Sequence, residues 1–109
     1  MARLMRAGKL QHRVQIERHQ ELVSDSGHVR KVWLPILTTR AELKEATTTE
    51  FLTGQIEGDT ARAVFLIRWP VVTISTADRL DHTGQRWNIT GLTEIGRKRG
   101  LEIRAEAVA

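Results

Sequence analysis

The sequence predicts an all-β domain, a small β-barrel or sandwich of about six or seven strands, with one short helix in a long loop. Two observations lead to this fold class. Apolar and polar residues alternate with a period of two through most of the 109 residues, and clusters of turn-forming residues separate the alternating segments. The length suits one domain, so residues 1–109 are treated as a single unit.

The first alternating segment follows a basic N-terminal arm, residues 1–9. In the segment after it, Leu10, Val14 and Ile16 share one parity while polar side chains take the other, which is the pattern of a half-buried strand. The arm itself carries charge without an apolar period. We therefore predict a flexible arm that becomes ordered only on contact with a neighbouring protein. Its basic residues are Arg3, Arg6 and Lys9.

The second segment is predicted to pair with the first as a hairpin. Residues 24–27 read Ser-Asp-Ser-Gly, in which the polar side chains bond to nearby backbone and glycine tolerates a positive φ. Residues 29–34 then form the returning strand. Pro35 lacks a backbone donor and is expected to interrupt that strand, after which the alternation resumes around Ala41 and Leu43.

A long connection is predicted for residues 45–60. Thr47 and Glu50 have the spacing of a capping box, and Gly54 stands where a short helix would end. One or two helical turns are therefore expected over residues 48–53. A connection of this length in a small domain is usually functional or disordered.

This connection is also the acidic part of a basic chain. Residues 40–60 carry two basic and five acidic side chains, a net charge of −3, whereas the whole chain has a net charge of +4. The acidic residues of the second half of this segment are Glu50, Glu57 and Asp59.

A central strand is predicted for the segment ARAVFLIRW, which begins at Ala61. Its inward parity places Phe65, Ile67 and Trp69 in the core. Val64 and Leu66 make the opposite face apolar as well, as expected for a strand that is covered on both sides or folded into a barrel.

The remaining third of the chain predicts a hairpin and a final strand. The hairpin turns at residues 81–85, so that Trp87 points inward and His82 is expected to be solvated. Asp78 and Asp81 flank this turn, where acidic residues are common, and are therefore not taken as a catalytic pair. A second turn at residues 94–100 leads into the last alternating segment, which closes the chain.

Catalytic and metal-binding patterns are absent from the sequence. Its four histidines have no HxH, HxxxH or HExxH spacing, and there is neither a GxSxG elbow nor a glycine-rich phosphate loop. We therefore expect no enzymatic activity, no catalytic residues, no metal and no cofactor. The absence of cysteine excludes disulfides. No apolar run is long enough to span a membrane, and a secretory signal is not expected.

The basic charge permits contact with nucleic acid without establishing it. The sequence pI is about 10.3, and the turn Arg97-Lys98-Arg99 is the candidate for contact with DNA or a protein partner. A binder of single strands also needs exposed aromatic rings, and Trp33 is the one tryptophan whose position suggests such a platform. A charged, solvated turn is an equally good interpretation of the basic cluster.

Five segments, taken in order, resemble one family of proteins. MRAGKLQHRVQIER, which begins at Met5, is similar to an arm M-R-x-G-x-L followed by a strand H-R-[IV]-x-I. DSGHVRKVW, RAELKEATTTEFL and AVFLIRW resemble the next turn and strands, and DRLDHTGQRWNITGLTEIGRKRGLEIRAE resembles the ending R-[IV]-x-x-x-G-R-x-[YWF]-x-I. Together they cover essentially the whole chain. The chain is thereby identified as resembling the phage head-closure, or head–tail joining, proteins.

The resemblance implies a small β-barrel that serves as a structural connector of a tailed phage or prophage. Such a protein forms a homo-oligomeric ring in the virion, with the portal and head–tail adaptor above it, tail proteins below it and packaged double-stranded DNA in its channel. It would be assembled in the bacterial host cytoplasm and would not contact a membrane. It closes the filled head and offers the docking surface for the tail.

For this chain, the resemblance makes two regions candidates for assembly. The arm with Arg3, Arg6 and Lys9 would contact a neighbouring subunit or the adaptor. The long connection would grip the next subunit or occupy the channel through Glu50, Phe51, Glu57 and Asp59. Two alternatives stay open: a tail-completion or tail-terminator ring protein, and a basic β-barrel that binds nucleic acid.

Overall fold

The computed structural model describes residues 9–50 and 59–108, and within them the chain forms antiparallel strands. These strands are β1 (His12–Val23), β2 (Val29–Glu50), β3 (Asp59–Arg68), β4 (Arg79–His82), β5 (Gln85–Ile95) and β6 (Gly100–Ala107). They pair in the closed order β1-β2-β3-β6-β5-β4, and the pairing of β4 with β1 completes the barrel. The predicted fold class, a small all-β domain, is confirmed.

The barrel core comes from the inward parity of the strands. The fully buried side chains are large and apolar, and Val14, Ile16 and Leu80 meet Phe65, Ile67 and Ile103 there. The residue that follows each of these side chains along its strand is polar or less buried. The exception is on β3, where Leu66, which follows Phe65, is also buried. The two-sided apolar pattern predicted for β3 therefore has a counterpart in the structure, because both faces of its centre are shielded from solvent.

Strand β2 is the longest element, with 22 residues, and it continues through Pro35. The predicted interruption at this proline is wrong. The strand absorbs the proline at a bulge, where Ile16 and Glu17 of β1 face Leu37 and Pro35. Pairing of β2 with β3 begins only at Ala41, so the missing donor of Pro35 removes no bond between these two strands.

The helix predicted over residues 48–53 is wrong in its first half. Residues 45–50 belong to β2 and pair with β3, and the last pair joins Glu50 to Asp59. Three consecutive threonines, Thr47 to Thr49, favour extended backbone because their branched side chains restrict rotation in a helix. Residues 51–53 lie outside the described part of the chain.

The tryptophan prediction is correct for one residue and wrong for the other. Trp87 is only 9% exposed and packs edge-to-face on Phe65, with ring centroids 5.8 Å apart. Trp69 is 37% exposed because β3 ends at Arg68 and the alternating parity ends with it. Its backbone nitrogen donates to the carbonyl of Arg99 across the neighbouring turn.

Candidate assembly surfaces

The basic arm leaves the barrel at a fixed point. Leu10 is buried, and Lys9 beside it is exposed. Arg3 and Arg6 lie outside the described residues, and so does most of the arm that is predicted to be flexible. The structure therefore defines where the arm starts and leaves its two arginines as sequence-based candidates.

The acidic candidates lie at the far end of β2. Glu50 and Asp59 are brought together as register partners at the end of the β2–β3 pairing. Phe51 and Glu57 fall outside the described residues. The connection predicted for residues 45–60 is thus shorter than expected, because both of its ends are paired strand.

The basic turn between β5 and β6 is a tight and exposed structure. Gly96 and Lys98 both have a positive φ, 63° and 57°, and the Lys98 backbone nitrogen donates to a carboxylate oxygen of Glu94 at 3.3 Å. The side chains of Arg97, Lys98 and Arg99 are exposed. Among the described residues, no ion pair engages these three cations, so their charge is available to an anionic partner.

Strand register relates the start of the arm to the basic turn and to the acidic end of β2. Because three antiparallel pairings separate β1 from β6, the arm before His12 and the turn before Gly100 leave the sheet in opposite directions. His12 pairs with Ala41, Ala41 with Ile67, and Ile67 with Leu101, which follows the basic turn. Glu50 lies nine residues further along β2 than Ala41, and at ~3.3 Å per residue this is a separation of about 30 Å. The acidic end of β2 and the start of the arm are therefore distant places on one subunit.

A further surface was not predicted. We call it the ribbon, residues 18–23 of β1 and 29–34 of β2. Strand β1 pairs with β4 only as far as Glu17, and β2 pairs with β3 only from Ala41 onward. The described chain therefore offers the ribbon no sheet partner on either outer edge. Val23 and Val29 at its tip are 69% and 56% exposed. The hairpin is evident in the sequence, but its exposure is not, because alternation alone does not reveal which strands lack a third partner.

The base of the ribbon is held by charged side chains. Arg18 donates to both carboxylate oxygens of Asp78, at 2.9 and 3.0 Å, and to the Thr73 carbonyl at 2.6 Å. Asp78 is 3% exposed and also accepts the Ser75 backbone N–H. The Asp78 carboxylate therefore ties the β3–β4 connection to β1, a role that its position beside the predicted turn did not indicate.

The charges at this site reinforce each other. Burial alone would raise the pKa of Asp78, but the Arg18 hydrogen bond, the Ser75 N–H and the Arg18 charge together lower it. The same hydrogen bond and charge raise the pKa of Arg18. Both groups therefore stay ionised at neutral pH.

A second ion pair lies beside the first. Arg79 donates to Glu17 at 2.7 Å, and both side chains are largely buried. The Arg79 guanidinium also stacks over the Trp33 ring, 4.2 Å from its centroid, and His19 meets the same ring edge-on. Trp33, the predicted aromatic platform, is thus already engaged by a cation from its own chain.

Two histidines meet at the edge of the core. The His12 Nδ1 and His82 Nε2 atoms are 3.2 Å apart, and the His82 ring also contacts Phe65 edge-on. Burial lowers the pKa of His82, the charge of His12 lowers it further, and Asp81 opposes the shift. The prediction of a solvated His82 is wrong because β4 carries the ring against the core.

Within the described part of the chain, no group of three or more histidine or acidic side chains is arranged to hold a metal ion. None of the helical segments described is long and apolar enough to cross a membrane.

Comparison with known proteins supplies the family context. The model of the family described as phage head completion protein matches residues 5–108. No curated protein matches the chain. A chain in the virion of a native gene transfer agent particle aligns with a TM-score of 0.67 at 17% identity, covering 99% of this chain and 98% of that one.

Two further solved structures share the fold. A protein from Shigella flexneri 2a, solved in solution, aligns with a TM-score of 0.62 at 20% identity, covering 96% of this chain and 98% of its own. The xkdH protein of the phage-like element PBSX of Bacillus subtilis aligns with a TM-score of 0.52 at 14% identity, covering 88% of this chain and 92% of its own. At these identities the structural likeness establishes the fold.

Proposed function

Because the chain belongs to the phage head completion protein family, we propose that it is a ring component of the head–tail connector in a tailed phage or prophage. It lies below the portal and adaptor, closes the DNA-filled head and forms the surface on which the tail docks. The observation that carries this proposal is the family match over residues 5–108, which spans the whole described barrel.

The distribution of charge on the barrel is compatible with ring assembly. A closed ring of identical subunits needs two unlike surfaces that meet head to tail. The basic arm begins at one level of the barrel and the Glu50–Asp59 end of β2 lies about 30 Å away along that strand. In the ring, Arg3, Arg6 and Lys9 of one subunit pair with Glu50, Glu57 and Asp59 of the next subunit, or with the adaptor.

The basic turn is assigned to the channel or to a partner surface. Arg97, Lys98 and Arg99 are exposed and, within the described residues, not engaged in ion pairs. Such cations bind phosphate without reading sequence, which suits a protein that retains DNA of any sequence. The proposed role is structural and includes no enzymatic step.

A stand-alone protein that binds single-stranded nucleic acid is less well supported. Such proteins stack bases on exposed aromatic rings. Of the three tryptophans, Trp33 already carries the Arg79 guanidinium, Trp87 is buried in the core, and Trp69 alone is both exposed and free of a stacked cation among the described residues. The described part of the barrel therefore offers a weak stacking surface, whereas its charged ends remain suitable for assembly.

The proposal is tested by removing the chain from a particle that uses it. Heads assembled without it should package DNA, lose that DNA on purification and fail to bind tails, and supplying the intact chain should restore both properties. Native mass spectrometry with and without portal and adaptor then measures the ring. Normal DNA retention and normal tail attachment without the chain would overturn the proposed function.

A further inference from the structure

The ribbon has two strand edges that the rest of the described chain leaves unpaired. On β1 the unpaired edge runs from Arg18 to Val23, and on β2 it runs along residues 29–34. Strand edges of this kind present backbone donors and acceptors to any incoming strand. A two-stranded hairpin without a third strand is also marginally stable in water, so pairing along either edge would stabilise it.

The base of the ribbon fixes the direction in which these edges project. Arg18 is joined to the buried Asp78, Glu17 is joined to Arg79, and Arg79 stacks on Trp33. These contacts fasten both strands of the ribbon to the barrel at the end where the unpaired edges begin. An edge held in this way loses less conformational entropy on association than a free hairpin would.

The two strands of the ribbon differ in charge. The β1 strand contributes Glu21, and the charge of its Arg18 is already engaged by Asp78. The β2 strand contributes Arg30 and Lys31. Glu21, Arg30 and Lys31 are all exposed, and Glu21 faces Lys31 in the register of its own hairpin. The β2 strand thus keeps a net positive charge, so the β1 edge of another copy is its better electrostatic match, whereas two β2 edges would repel each other.

The apolar side chains of the ribbon are distributed over both strands. Leu22 and Val23 on β1, and Val29 and Leu34 on β2, are all exposed large hydrophobic residues. A contact between copies along the ribbon would remove part of this apolar surface from water, which is favourable at about 25 cal/mol per Å².

We propose that the ribbon is an interface between copies of this chain, in which the β1 edge of one subunit pairs with the β2 edge of the next. Rotation about an axis parallel to the ribbon leaves strand directions unchanged. Since β1 and β2 are antiparallel to each other, this rotation places an antiparallel neighbour at each edge. The contact is heterologous and continues around a ring. This inference rests on the proposed ring and names the surface that builds it.

The chain contains no cysteine, which allows a direct test by cross-linking. Two separate full-length variants, Leu22→Cys and Arg30→Cys, place a thiol on an exposed position of each ribbon strand. These two positions face each other in the hairpin register, so the proposed rotation brings Leu22 of one copy opposite Arg30 of the next. Each variant alone, and a mixture of the two, is oxidised to form disulfides, both in free solution at high protein concentration and in assembled heads. A disulfide needs Cα atoms within about 7 Å, whereas equivalent residues of neighbouring copies are two strand spacings, roughly 10 Å, apart. The matched control mixes Leu22→Cys with Asn88→Cys, an exposed position on β5.

The proposed pairing predicts disulfide-linked dimer in the Leu22→Cys and Arg30→Cys mixture, and none above background in either single variant or in the control mixture. Disulfide-linked dimer in the Leu22→Cys variant alone would indicate a two-fold contact between β1 strands and would overturn the proposal. So would the absence of the mixed dimer from both solution and heads. If the chain is present in heads without the mixed dimer, the ribbon proposal fails while the proposed function stands. If the chain is absent from heads, the proposed function fails. The experiment in free solution then still decides whether the ribbon edges pair.

Discussion

Arg18 of β1 and Asp78 of the β3–β4 connection are separated by 60 residues in the chain and joined by two hydrogen bonds, from Nε to Oδ1 at 2.9 Å and from a terminal nitrogen to Oδ2 at 3.0 Å. The carboxylate is buried and the guanidinium is partly exposed. The pair fastens an irregular segment of the chain to the barrel, and it does so where the ribbon leaves the barrel.

Asp78→Ala is expected to lower the free energy of unfolding by roughly 1.5–3 kcal/mol, the range for hydrogen bonds to charged groups. The reason is that the substitution removes the acceptor for both Arg18 and the Ser75 backbone N–H. Urea denaturation measures the change. Asp25→Ala, at an exposed turn, is the control and should unfold like the parent chain.

The same carboxylate gives an acid dependence with a definite sign. Its pKa is lower in the folded chain, so its contribution is complete above the unfolded value near 3.9 and is lost as the pH falls through the folded value. The variant Asp78→Asn should therefore lose less stability than the parent between pH 5 and the acid limit of folding. Equal acid slopes for the two proteins, measured by denaturant titration, would exclude this contribution.

Trp87→Ala is expected to cost on the order of 3–5 kcal/mol, because it opens a cavity beside Phe65 in the core. Trp69→Ala should cost much less, since the ring is 37% exposed and the hydrogen bond of Trp69 to Arg99 uses backbone atoms. Thermal and urea unfolding of both variants compare the two sites directly. Similar melting temperatures for the two variants would contradict the assigned positions.

Stability should also fall between about pH 7.5 and pH 5.5 because of His82, whose unfolded pKa is near 6.5. The folded pKa of His82 is lower, so the unfolded chain binds more protons as the pH falls through 6.5. The contribution is therefore present above that pH and is lost below it. His82→Asn should flatten the dependence, whereas His28→Asn, at an exposed turn, should preserve it. A parent chain whose denaturation midpoint is constant across this pH range would refute the prediction.

Reversal of charge tests the proposed contact between arm and acidic end. Glu50→Lys combined with Glu57→Lys should impair ring or head assembly, because lysines would then face the basic arm of the neighbour. Adding Arg6→Glu should partly restore assembly, and this rescue separates a charge contact from general damage to the fold. Head assembly and DNA retention are the measurements. Full assembly by the double reversal would remove the assigned role.

Local patterns in the chain were sufficient for most of the barrel. The alternation of residues 10–18 correctly assigned Val14 and Ile16 to the core, and the same reasoning placed Phe65 and Ile67 there. Turn chemistry was equally informative, since Gly27 has the positive φ of 83° that its predicted turn requires. These features are local because a strand exposes alternate side chains to opposite faces whatever it pairs with.

The errors arose where a distant part of the chain decided the outcome. Capping-box residues favoured a helix at Thr47 and Glu50, but pairing with β3 holds this backbone extended. The exposure of Trp69 depended on where β3 ends. The environment of His82 depended on its contacts with His12 and Phe65. Neither is visible in a window of neighbouring residues.

The sequence by itself determined an all-β chain, its turns, most of its inward-facing residues and its family resemblance, because these depend on residue type and short-range order. Only the tertiary structure decided which strands close the barrel, that Asp78 is buried against Arg18, and that the ribbon edges lack partners in the described chain. Burial and strand pairing join residues far apart in sequence. Their free energies come from contacts that the alternation of a single strand does not specify.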